Sequence, residues 1–165
     1  GDPGNEFEAV RACDLGSVSF DDPDLRSELV GSYASRISAY PAVRSHLLDR
    51  QRAFAAQDGG AVLDGRDIGS VIAPDAQAKL FVTATPEVRA RRRLGELTAR
   101  GFNAHFDEIL ADIHARDERD ASRAVAPLVR VNDAMLLDTS DLDVTQVIAA
   151  AIALVDQRLA VRKTT

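Results

Sequence analysis

The stretch Lys79-Leu80-Phe81-Val82-Thr83-Ala84-Thr85-Pro86-Glu87 decides the fold. Lys79 to Ala84 is a short, mostly apolar run with β-branched and aromatic members, the pattern of a strand buried on both faces. Thr85-Pro86-Glu87 then opens a helix. Thr is the N-cap, Pro takes the first helical position where its missing N–H costs nothing, and the acid favours the positive end of the helix dipole. The helix is expected to reach about Arg100 and to stop at Gly101. A buried strand that passes straight into a helix is the repeating unit of a parallel sheet.

The same pattern extends outward. Upstream, Ala61-Val62-Leu63-Asp64 is expected to be a strand ending in an acid before Gly65; downstream, Ala134 to Asp138 (AMLLD) is expected to be another. Between them Phe106, Ile109, Leu110 and Ile113 recur at i, i+3, i+4, i+7 and predict a helix whose end carries Arg116 to Arg123. Asp143 caps a last helix with the stripe Val144, Val147, Ile148, Ala151, Val155 and Leu159. Nearer the start, Ser27 to Tyr40 reads as a helix stopped by Pro41, which itself opens the next, with Val43, Leu47, Leu48 and Phe54 on one side and Asp58-Gly59-Gly60 at its end. Phe7, Val10 and Ala12 mark a shorter one. The expectation is a single α/β domain over residues 1–165 with a mostly parallel sheet. Ligands in such folds sit beyond the carboxyl ends of the strands, where Asp64-Gly65-Arg66-Asp67 falls.

Composition narrows the partners. The net charge of −6 argues against a nucleic-acid coat or a membrane-surface protein. No apolar run approaches the roughly 20 residues a bilayer-spanning helix needs. Cys13 is the one cysteine, which fits a reducing cytosol and excludes a disulfide framework or thiol metal site. A cytoplasmic location is expected. Lysine is confined to Lys79 and Lys163, whereas eight arginines fall between Arg89 and Arg123. Arginine offers a planar fork of donors suited to phosphate, so an acidic chain with one arginine-rich segment reads as a small-anion binder or as a solvated helix face.

Three clusters carry possible chemistry, each with a bland alternative. In Leu63-Asp64-Gly65-Arg66-Asp67-Ile68-Gly69 a strand-end acid suits water-mediated Mg²⁺ and the arginine suits a phosphate; Asp-Gly is also a common turn pair. Arg116, Arg119, Asp120 and Arg123 share one helix face, as converging phosphate ligands or as exposed ion pairs of small worth. Arg89-Ala90-Arg91-Arg92-Arg93 is a basic run on the helix after the strand at 79–84, which reads as a basic solvated face.

The order of the pieces is far more specific than any one of them. LDGRDIGSVIAPDA, KLFVTATPEVRARRR, a Gly-Phe stop, ARDERDASRAVAPL and a strand ending LDTS together resemble the bacterial cytidylate kinases, from about Ser27 to Leu159. These belong to the P-loop nucleoside monophosphate kinases. The resemblance implies a three-layer α/β fold with a parallel sheet and a lid-like helical pair over 89–123. It also implies transfer of the γ-phosphate of ATP to CMP or dCMP with Mg²⁺, and a monomer. By the same resemblance Ser35 and Arg44 line the base pocket, and Asp64 organises the Mg²⁺ water shell. Arg66 clamps the CMP phosphate, Asp67 orients pocket arginines, and Asp120 holds the sugar hydroxyls. Arg116 and Arg123 draw the two phosphates together, and Arg92 faces ATP from the base of the lid. Gly101-Phe102-Asn103 is a sensible hinge for that lid.

One element of that family is missing. No glycine-rich loop with its Lys and Ser/Thr occurs in these 165 residues, and neither Lys79, inside a strand, nor Lys163 can substitute. The chain is therefore expected to lack the first strand, which would lie between the strands at 61–64 and 79–84, and to represent part of a longer protein. Two other readings remain: a nucleotide-binding remnant without turnover, and a related kinase of different base specificity.

Overall fold

A computed structural model of the chain describes residues 4–13, 21, 25, 27–122 and 128–163. It divides into two compact units, one ending at Gly65 and the other beginning at Arg66.

The first unit is helical. Helix α1 (Glu6–Arg11) starts where the Asn5 side chain accepts hydrogen bonds from the amides of Phe7 and Glu8. Helix α2 (Glu28–Ile37) is capped by Ser27, whose hydroxyl accepts from the Val30 amide. Tyr40 is extended ahead of Pro41, as a residue before proline must be, and α3 (Pro41–Ala55) begins at that proline. The Glu6 carboxylate accepts from the Ala42 amide at 3.1 Å, tying α1 to the start of α3. Beneath that link Ala9, Cys13 and Val43 are buried, with Val10, Ile37, Tyr40 and Leu47 packed on them. Phe54, expected on the buried side of α3, is half exposed.

The second unit holds the sheet. Strands β1 (Leu80–Thr83) and β2 (Met135–Asp138) pair in parallel, from Leu80 against Met135 to Thr83 against Asp138. Residues 61–64 correct the expectation of a further strand: they join no ladder, and Val62 is almost fully exposed. A strand exists only where a neighbour takes its backbone groups, and among the described residues these have none. The apolar runs of β1 and β2 are only partly covered, with Val82 and Leu136 about half exposed.

Helix α4 (Pro86–Ala99) begins with the Thr85 hydroxyl accepting from the Val88 amide. It ends with Gly101 at φ +81°, the Gly101 amide on the Thr98 carbonyl and the Phe102 amide on the Leu97 carbonyl. That pair of bonds needs a left-handed residue at 101, which glycine adopts without strain. Helix α5 (Phe106–Ser122) folds back on α4 around buried Ala90, Leu97 and Ile109, with Leu94, Phe106, Leu110 and Ile113 packed alongside. Helix α6 (Val144–Lys163) follows β2 and packs on it. Its 18-residue window Val144–Val161 has a mean hydropathy of 1.5, long and apolar enough on those grounds to cross a bilayer, so the expectation that no such run exists was too strict. The expected stripe is open in part: Val144 and Ile148 are more than half exposed, and so is Ile152 outside it.

A π-helical turn, Ile68–Ile72, is the other departure from expectation. The Ile72 amide reaches back to the Asp67 carbonyl and the Ala73 amide to that of Ile68. Such turns are rare and often stand beside functional residues; this one follows directly on Arg66 and Asp67.

Candidate active site

The site grows from Asp120, on the last turn of α5. Its side chain is 1% exposed. A buried carboxylate is costly without a cation, and two approach it. Arg66 donates from Nε to Oδ2, and Arg116, one helical turn back, places its Nε 4.0 Å from the same oxygen. Arg66 and Arg116 are 37% and 45% exposed, so a ligand in water reaches the guanidiniums although Asp120 itself is covered. The Arg66 Nη groups meet no acceptor among the described residues. An exposed guanidinium whose Nη fork stays open beside a second arginine is an arrangement suited to an anion.

Asp117 stands between these residues on α5 and is held from the other helix. Arg89 donates from Nη1 to Oδ1 at 2.9 Å and from Nη2 to Oδ2 at 2.5 Å, while its Nε reaches the Ala84 carbonyl at 3.1 Å. The hydrogen bonds from Arg89 hold the Asp117 carboxyl below the ordinary carboxylate range against the opposing effect of burial; the charges of Arg89, His114 and Arg66 act the same way. Reciprocally, the bond to Asp117 raises Arg89.

A second set of bonds joins the carboxyl ends of the strands. Arg92 donates to the Thr139 hydroxyl at 3.0 Å and to the carbonyls of Thr139 and Leu142 at 2.5 and 3.2 Å. The Thr139 hydroxyl in turn donates to the Thr83 carbonyl at 3.0 Å. Ser140 accepts from the Thr85 amide and donates to Asp138 at 2.6 Å, and its hydroxyl and amide both lower the Asp138 carboxyl.

Residues 14–157 match the family model described as cytidylate kinase. The chain is 56% identical over 162 residues to a cytidylate kinase of Xanthobacter autotrophicus, covering 98% of this chain and 76% of that protein. It is 54% identical over 156 residues to one of Azorhizobium caulinodans, covering 94% and 75%, and 48% identical over 157 residues to one of a Caulobacter species, covering 94% and 73%. The chain belongs to the cytidylate kinase family. The P-loop nucleoside monophosphate kinase reading of the fold follows from that membership, and the parallel β1–β2 pair with its flanking helices agrees with it.

Of the residues that the family resemblance singled out, the second unit brings Arg66, Arg116 and Asp120 into one cluster. Asp67 is buried beside them in sequence, and its carbonyl accepts from Val71, Ile72 and the Ser70 hydroxyl. Arg92 is not in that cluster: its guanidinium lies on the loop after β2. Arg123 falls outside the described residues. Ser35, Arg44 and Asp64 lie in the first unit, Ser35 on α2, Arg44 on α3 with Nη1 on the Ser38 carbonyl at 3.0 Å, and Asp64 exposed at the end of the 61–64 segment. Sequence reasoning missed Arg89, Asp117 and Thr139. Arg89 was visible only as part of a basic run, and nothing in the spacing tells which arginine of such a run faces the neighbouring helix.

Proposed function

We propose that this chain acts as a cytidylate kinase, transferring the γ-phosphate of ATP to CMP or dCMP and releasing ADP with CDP or dCDP. The observation that carries the reading is Asp120, 1% exposed between the guanidiniums of Arg66 and Arg116. Phosphoryl transfer asks little covalent chemistry of a protein; it needs two phosphates aligned and their charge neutralised. Arg66 spends its Nε on Asp120 and keeps its Nη fork for the CMP phosphate. Asp120 fixes that fork and, on this reading, accepts from the ribose hydroxyls as CMP seats. Arg116, with Arg123 by family resemblance, gathers charge on the transferring group. Arg92 serves ATP from the loop after β2, and Ser35 and Arg44 read the base. These placements rest on the match of each position to the family's motifs.

Asp64 would hold Mg²⁺ through water. The ion keeps most of its waters and takes one or two protein carboxylates, so a single exposed acid fits it better than a closed cage would. Among the described residues no group of three or more His, Cys, Asp or Glu is placed to hold a metal directly. Bound there, the ion would neutralise charge between the phosphates.

A second reading is a domain that binds CMP without turning it over. Incubation with ATP, Mg²⁺ and CMP separates the two. CDP and ADP in equal amounts support the kinase; CMP binding with no CDP supports the binding domain.

A further inference from the structure

Helices α4 and α5 are held together in two ways that differ in kind. Leu97 and Ile109 pack with Leu94, Phe106, Leu110 and Ile113 towards the Gly101 turn, and the same apolar cluster runs on to Ala90, beside Arg89. Apolar contact of that sort sets the distance between helices but is non-directional, and it tolerates a small slide or roll. At the open end, where α4 leaves β1, the one directional link recorded between the two helices among the described residues is the fork of Arg89 on Asp117. A planar bidentate pair fixes orientation as well as distance. Arg89 also grips the Ala84 carbonyl at the end of β1, so the sheet, α4 and α5 meet in one guanidinium. Asp117 is the neighbour of Arg116 in the chain and lies three residues, about one helical turn, before Asp120. Any roll of α5 about its axis moves all three together.

We propose that Arg89 and Asp117 are positioning residues for the phosphate site, fixing the rotation of α5 so that Arg116 and Asp120 meet Arg66. The proposal rests on the kinase reading above. It gives Arg89 a part separate from Arg92 in the same basic run: Arg89 aims the cluster without entering it. Lysine cannot replace it, because an ammonium makes no fork and cannot serve Ala84 and both Asp117 oxygens at once.

The test is a double-mutant cycle on kcat and KM for CMP, with thermal unfolding in parallel. Arg89→Met and Asp117→Asn are each expected to lower kcat/KM for CMP about 10²-fold, the loss that a misplacement of about 1 Å produces. Arg89→Lys is expected to lose less than Arg89→Met. The double variant should lose no more than the worse single one, because either change alone already opens the fork. Glu96→Ala, which removes the exposed Arg93 partner on the same helix, should leave kcat/KM within twofold. Additive losses, or stability losses with kcat/KM unchanged, overturn the proposal. If Arg89→Met does not fold, Arg89→Lys against Asp117→Asn decides in the same way. Wild-type protein that neither binds CMP nor makes CDP removes the kinase reading and the clamp's role with it; active wild type with active variants removes the clamp alone.

Discussion

Two acid–base pairs in the second unit each join residues 54 positions apart, and they do opposite things. At the amino ends of β1 and β2, Lys79 donates to both oxygens of Asp133 and to the Pro74 carbonyl. Its side chain is 8% exposed, and one charge is met by one charge. The Arg66–Asp120 pair reverses the exposure: here the acid is buried, the base is open, and Arg116 adds a second cation. The first pair is a closed staple. The second is the proposed anion site, because Arg66 keeps its Nη groups free of acceptors among the described residues. An ion pair therefore marks a site only when charge and hydrogen-bonding capacity are left over.

The largest expected effect separates the two pairs directly. Arg66→Met should cut turnover with CMP by about 10²- to 10³-fold, the range for removing one preorganised charge donor. An activity within threefold of wild type would mean that the two pairs are alike after all. Next comes the strand-end network, which couples the regions. Thr139→Val keeps the shape of a buried side chain but removes a hydroxyl that serves both Arg92 and Thr83; it should cost about 1–3 kcal/mol in denaturant unfolding.

The clamp beside the site has a pH signature. The Asp117 carboxyl is lowered in the folded chain, so its contribution is complete above the unfolded value of about 3.9 and is lost as pH falls through the lower folded value. The urea midpoint of wild type should exceed that of Asp117→Asn at pH 6, and the gap should close in strong acid. A gap that is constant with pH contradicts the ion pair. The smallest effect on chemistry belongs to the staple: Lys79→Met should lower the unfolding temperature by a few degrees yet leave kcat for CMP within twofold. A matching loss of turnover would extend the site to the amino ends of the strands.

The legibility of the sequence follows the same division. The Thr85-Pro86 start of α4 and the Gly101 stop are local signals, written in a cap hydroxyl, a missing N–H and a left-handed φ, and both stand where the sequence places them. Arg66 and Asp120 were legible through motif order. Residues 61–64 misled because an apolar run states a preference for burial and cannot state whether a neighbouring strand is there to pair with it. The π-helical turn after Asp67 had no signal, since IGSVI is equally a strand or a helix by pattern. Arg89, Asp117 and Thr139 were hidden because their roles depend on partners 28 to 56 residues away, which no local periodicity reports.

The most direct test is a calorimetric titration of the protein with CMP and, separately, with cytidine. Recognition through the Arg66–Asp120–Arg116 cluster requires that CMP bind much more tightly than the phosphate-free nucleoside, and that Arg66→Met erase most of that difference. Equal affinity for CMP and cytidine, or a CMP preference that survives loss of Arg66, would contradict it.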